Sequence, residues 1–208
     1  GHVRVYQRDE TNTTVAPIGW TQLGSDIDGE AADDNSGISV SLSSDGTIVA
    51  ISAYKNDGTS GSSSDNRGHV RVYQYSNSVW TQLGADIDGE AASDYAGDSI
   101  SLSSDGTIVA IGALYNDGTA SNAGHVRVYQ RDESNTTVAP IGWTQLGADI
   151  DGEAEGDNSG YSVSLSSDGT IVAIGARYND GTSGDSNDNR GHVRVYQRDE
   201  TNTTVAPI

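Results

Sequence analysis

The chain has 208 residues, with 30 acidic against 11 basic side chains and a net charge of −19. Cys, Met and Phe are absent, which excludes disulfides, thiol nucleophiles and zinc–thiolate sites. No apolar run approaches the length of a membrane span, and the negative field argues against nucleic acid or anionic lipid as partners.

Val, Ile and Leu together supply only 38 residues, which on composition alone reads as disorder. Pattern decides otherwise. Gly-His-Val-Arg-Val-Tyr-Gln begins at Gly1, Gly68, Gly124 and Gly191, so the chain divides into repeats 1–67, 68–123 and 124–190 and a truncated fourth, 191–208. Residues 191–208 copy residues 1–18 without a change, and 1–67 differs from 124–190 at 10 positions. The absence of Met adds the expectation that the chain is a processed or excised piece.

In chain order, Ser39–Ser43 alternates apolar and polar residues and predicts a strand. Ser44-Asp45-Gly46 predicts a hairpin turn. Thr47–Ile51 is β-branched and nearly continuous, which predicts a strand buried on both faces. A polar loop starts at Asn56. His69–Tyr73 alternates again, Val79–Leu83 predicts a fourth strand, and Asp86–Gly97 leads to the next repeat. The short repeat differs in length at two places only, which marks both as loops. Four short antiparallel strands in 56–67 residues form a blade. The fold class is therefore all-β, with tandem four-stranded blades in a β-propeller-like closed ring or open array. Trp20, Trp80 and Trp143 are the expected large anchors between blades.

Gly160-Tyr161-Ser162-Val163, Asp168-Gly169, Val172–Ala176 and Gly191–Tyr196 together resemble the FG-GAP repeat. That repeat builds the β-propeller of integrin α chains and of many surface proteins. The likeness recurs at Gly37 and Gly97. The resemblance implies the propeller fold. Calcium binding between the first two strands does not follow from it, because the family's Asp-rich loop is reduced here to Ser-Ser-Asp-Gly. The aromatic before the first glycine is also replaced, by Ser36, Ala96 or Ser159.

Three sets of residues carry candidate chemistry. Asp26, Asp28 and Glu30, Asp86, Asp88 and Glu90, and Asp149, Asp151 and Glu153 place alternate acids around a glycine, a beginning for an oxygen-ligand calcium site. The competing reading is a polar turn whose Asp side chains cap backbone amides. His2, Arg4 and Tyr6, with their copies at His69, His125 and His192, share one strand face and read as a ladder in which Arg pairs with carboxylates. Asn12, Asn135 and Asn202 each open an Asn-Thr-Thr sequon in the loop of the long repeats, predicting N-glycosylation.

No nucleophile elbow, phosphate loop or zincin helix is present, so the sequence predicts no enzyme. The functional expectation is an extracellular or cell-surface structural protein building a filament, appendage or matrix by self-association. The alternative is an adhesion module recognising glycans or surface proteins. No cofactor is required, with calcium as the candidate ion.

Overall fold

The computed structural model describes residues 1–58, 62, 64–181, 188–199 and 201. The described residues form strands and no helix. The N-terminal segment supplies two antiparallel pairs, β1 (His2–Val3) with β4 (Ile27–Asp28) and β2 (Tyr6–Arg8) with β3 (Trp20–Gln22). A complete blade follows in the order β5 (Val40–Leu42), β6 (Ile48–Ala53), β7 (His69–Ser76), β8 (Val79–Gln82), with β9 (Ile87–Asp88) also paired to β7. The second blade repeats this with β10 (Ser99–Leu102), β11 (Ile108–Ala113), β12 (His125–Arg131), β13 (Trp143–Gln145) and β14 (Ile150–Asp151). The third holds β15 (Ser159–Leu165), β16 (Ile171–Ala176) and β17 (His192–Gln197). Tandem, all-antiparallel sheets of this kind are the propeller-like class expected.

One feature differs from the expectation. Each complete blade has a fifth strand, because Ile87 and Ile150 pair with Val70 and Val126. Flanking aspartates, poor strand formers, hide this element in the sequence. Blades and sequence repeats are out of phase, as the predicted strand order implies. The first complete blade takes β5 and β6 from repeat 1–67 and β7–β9 from repeat 68–123. Every sequence repeat therefore clasps two blades.

Burial explains how so few aliphatics suffice. β6 is buried on both faces: Val49 and Ile51 pack toward Val5 and Ile27, while Ala50 packs toward Ile100, Val109 and Ile111 of the next blade. The second and third blades meet through Ile108, Val126, Val172 and Ile174. Trp143 is fully buried and donates Nε1–H to the Leu83 carbonyl of the preceding blade at 3.0 Å. Trp80 does the same to Leu23 at 2.7 Å, whereas Trp20 is 46% exposed.

Serine joins the blades where aliphatics run out. Ser39 and Ser41 accept at Oγ from the Ile100 and Leu102 amides, at 3.2 and 3.0 Å, and Ser101 accepts from Leu165 at 3.0 Å. The predicted hairpin turn is held by Asp45, which accepts from the Thr47 amide at 2.9 Å, with Gly46 at positive φ. Its copy does the same, and the turn amides Ser44 and Ser104 donate to the Ser104 and Ser167 carbonyls at 2.8 Å each.

Candidate functional site

The alternation of β7 puts His69, Arg71 and Tyr73 on one face, and β12 repeats it with His125, Arg127 and Tyr129. This face meets the segment that leaves the preceding blade. Glu30 reaches across so that Oε2 lies 3.8 Å from His69 Nδ1, and Asp86 of β7's own blade places Oδ2 at 3.6 Å from the same nitrogen. At the next junction, Glu90 and Asp149 stand 4.0 and 3.7 Å from His125 Nδ1. In both triplets the three potential ligand atoms lie within 4.8 Å of one another.

Each triplet is held from outside. Gln82 donates to Asp86 Oδ1 and Gln145 to Asp149 Oδ1, both at 2.7 Å, which leaves Oδ2 facing the histidine. Arg71 donates Nη2–H to the Asp28 carbonyl at 2.9 Å and stands 3.5 Å from Glu30 through Nη1. Arg127 repeats this with Asp88 and Glu90, at 2.9 and 3.4 Å. The expected Arg–carboxylate ladder is thus present, running between blades. Both histidines are 1% exposed. Nε2 of His69 and both ring nitrogens of His125 are buried without a hydrogen-bond partner among the described residues. Burial pulls both imidazoles well below their ordinary pKa, so they are neutral at pH 7. Burial pushes the Glu30 and Glu90 carboxyls up, and the charges of Asp86 and Asp149 respectively add to this.

The structure redistributes the acids of each Asp-Ile-Asp-Gly-Glu segment. Asp26 turns to Arg4, at 2.8 Å, and to Gln22. Asp28, Asp88 and Asp151 sit in β4, β9 and β14, where their carbonyls accept from the next blade's arginine. Glu30, Glu90 and Glu153 cross to the following blade. Among the described residues, the three acids of one segment do not converge into a ligand set. At the third junction Glu153 meets His192 and Arg194 at 3.6 Å each. The amide-capping role expected of the polar turn falls to neighbouring aspartates: Asp34, Asp94 and Asp157 accept from the Ala31, Ala91 and Ala154 amides at 3.0–3.1 Å.

Asn12 and Asn135 brace their loops. Nδ2 of Asn12 donates to the Val15, Pro17 and Trp20 carbonyls, and Asn135 repeats this on Val138, Pro140 and Trp143. A glycan on that nitrogen has to displace these bonds. Asn202 lies outside the described residues. The histidine ligand was legible only as a ladder member, because Glu30, His69 and Asp86 are far apart in sequence and form no local motif. Asp86 of the first triplet and Glu90 of the second line a groove of about 760 Å³, with Arg127, Tyr129 and Trp143 among its other walls.

No family model matches the chain, and no curated protein matches it by sequence. Among solved structures, it is similar to a putative 6-phosphogluconolactonase from Bacteroides uniformis. The TM-score is 0.56 at 14% identity, covering 96% of this chain and 45% of that one. It is also similar to the hydrazine synthase of Kuenenia stuttgartiensis, with a TM-score of 0.44 at 12% identity, covering 77% of this chain and 45% of that one. The chain therefore spans less than half the length of either. The first likeness supports the propeller-like fold. It also corrects the expectation of an extracellular structural protein forming a filament, appendage or matrix, because blades of the same kind build a putative 6-phosphogluconolactonase. Blade repetition is no mark of a fibre.

Proposed function

We propose that this chain is a metal-binding propeller-type repeat domain in which a divalent transition metal links neighbouring blades. One observation carries the reading. At both complete junctions, a 1% exposed imidazole with at least one buried ring nitrogen lacking a hydrogen-bond partner among the described residues faces two carboxylate oxygens from different blades. Tetrahedral ligand atoms at about 2.0–2.2 Å from a metal lie roughly 3.4 Å apart. The imidazole-to-carboxylate spacings of 3.6–4.0 Å are close to this, and the two carboxylates of each triplet, within 4.8 Å of each other, would close in on an ion. An imidazole donor favours zinc, copper, nickel or iron over calcium, which takes oxygen ligands. Glu30, His69 and Asp86 would hold one ion, and Glu90, His125 and Asp149 a second. The role is structural, with no catalytic step, and the blades are taken as divergent FG-GAP-type repeats.

Zinc titration into EDTA-stripped protein tests this by calorimetry and thermal melting. The expected result is two zinc ions per chain, a raised Tm, and loss of one site in Glu90→Gln. A calcium arm tests the oxygen-ligand alternative. Absence of any melting shift at millimolar zinc refutes the proposal.

A further inference from the structure

The three repeats share an ungapped segment, Trp20 to Asn56, Trp80 to Asn116 and Trp143 to Asn179. Of its 37 aligned positions, 27 hold one residue in all three copies and 10 vary. Several of the changes are mild, such as Val40, Ile100 and Val163, or Ser52, Gly112 and Gly175. Two columns change charge without lining the groove described below, Ala32, Ala92 and Glu155, and Asp33, Ser93 and Gly156. Three more change chemistry outright: Ile38, Asp98 and Tyr161; Tyr54, Leu114 and Arg177; and Lys55, Tyr115 and Tyr178. A fourth, Asn35, Tyr95 and Asn158, gains an aromatic ring in the middle copy.

These four columns meet in space. They lie where β6, β11 and β16 end and where β10 and β15 begin, along one edge of the three blades. A groove of about 270 Å³ opens there. Its walls come from Tyr54 and Lys55 of one blade, Tyr95, Asp98, Leu114 and Tyr115 of the next, and Tyr161 and Arg177 of the third. Every wall residue belongs to one of the four columns, and none to the 27 fixed positions.

The chemistry placed there is also unlike the rest of the molecule. Nine of the 11 basic residues are copies: Arg4, Arg71, Arg127 and Arg194; Arg8, Arg131 and Arg198; Arg67 and Arg190. The two that occur once, Lys55 and Arg177, both line this groove. Arg177 is held between two rings, 4.3 Å from the Tyr161 centroid and 4.4 Å from that of Tyr178. It has no carboxylate within 4.0 Å among the described residues, and its Nε is buried without a hydrogen-bond partner. The Arg177 charge reaches Asp98 across the groove without a contact ion pair, which leaves a ring-held guanidinium able to donate to an anion. Tyr54, Tyr95 and Tyr115 form a continuous aromatic wall, with centroids 5.5 and 5.3 Å apart. Asp98 stands in the same groove and opposes any anion that lacks a donor to satisfy it. Its burial, which pushes its carboxyl up, adds to that demand.

We propose that this groove is a recognition site for a small aromatic carboxylate carrying a hydroxyl or amino substituent. The ring packs on the tyrosines, the carboxylate meets Arg177 and Lys55, and the substituent donates to Asp98. The volume lies just below the roughly 300–1,000 Å³ range of drug-sized pockets and limits the occupant to about one ring. The proposal is independent of metal at the blade junctions, whose ligand candidates share no residue with the groove.

The test uses 4-hydroxybenzoate as the probe, titrated into the purified chain by calorimetry or ligand-observed NMR. Cyclohexanecarboxylate, which lacks the ring face, and 4-hydroxybenzyl alcohol, which lacks the carboxylate, serve as comparators. The probe is expected to bind at least about tenfold more tightly than either. Arg177→Leu, which installs the residue of the middle repeat, is expected to weaken the probe about tenfold and leave the alcohol unchanged. Lys55→Tyr, which installs the residue of the other two repeats, gives a second reading if the first variant melts early. No binding at about 10 mM, equal binding of all three compounds, or an unchanged Kd in the folded variants overturns the proposal.

Discussion

Trp143→Ala and Trp20→Ala make the same change in the same column of the repeat, yet the two should differ widely. Trp143 is fully buried, its Nε1–H bonds the Leu83 carbonyl at 3.0 Å, and Arg131 lies 5.8 Å from its ring. Trp20 is 46% exposed. A buried Trp removes roughly 150–250 Å² from water, about 4–6 kcal/mol at about 25 cal/mol/Å² as an upper value. Measured large-to-small core changes of this type fall at about 3–5 kcal/mol. We expect that range for Trp143→Ala and about 1–2 kcal/mol for Trp20→Ala, where half the side chain already meets water. For a chain of this length each kcal/mol moves Tm by about 2–4 °C, so the first variant should melt about 6–20 °C lower and the second about 2–8 °C lower. Urea titration followed by circular dichroism, with thermal melts beside it, gives both numbers. Equal losses at the two positions would refute the argument that a Trp stabilises only through the blade stacked beneath it.

Glycine positions give a parallel comparison. Gly124 and Gly46 both have positive φ, but a Cβ at Gly124 would collide with the Ser159 carbonyl, whereas at Gly46 it meets open space. Gly46→Ala should cost about 1 kcal/mol and Gly124→Ala more than about 3, measured by urea midpoint. Ser101→Ala removes the acceptor for the Leu165 amide and should cost about 1 kcal/mol, with a neutral result arguing against serine as a joint between inner strands. In metal-free protein, burial holds His69 and His125 down to about 4. The unfolded chain takes up protons as pH falls through about 6.5 while the folded chain stays neutral, so stability is full above 6.5 and is lost toward 4. The loss is at most about 3 kcal/mol per histidine. Glu30 and Glu90, pushed up by burial, act in the opposite direction at the acid end. The readout is therefore the difference between parent and His69→Gln across pH 7.5 to 5. A parent that loses no more stability than the variant would sink this account.

The strands were legible because their signal is local. Thr47–Ile51 is β-branched without interruption, and His69–Tyr73 alternates, so period and propensity agree over five residues each. β9 was not legible, since only Ile87 is apolar and the aspartates beside it argue for a loop. The phase of the blades was legible, because the strands at Ser39, Thr47, His69 and Val79 follow one another across the repeat boundary at Gly68. The Glu30, His69 and Asp86 cluster was out of reach because it joins three distant stretches across a junction. Its parts were noted separately, the acids as a loop and the histidine as a ladder. The tyrosine groove was missed through an inference that seemed sound: near-identical copies imply no unique site. That holds only if the differences are scattered.

Near-identity has a packing cause. In a stack of sheets, one face of each blade must match the opposite face of the next, so a change in one copy at a contact column disturbs both. Trp143 needs the Leu83 carbonyl, and Gly84 must stay bare because a Cβ there would come within 2.9 Å of the Trp143 ring. Ser101 must keep a hydroxyl for Leu165. Columns that enter these joints are therefore held to one residue across the copies. The columns at Ile38, Tyr54 and Lys55 sit at the rim, where a side chain meets a groove and not a neighbouring sheet, and there each copy is free to differ. The sameness of the repeats thus follows from how blades stack. The few differences mark the place where this chain has chemistry of its own.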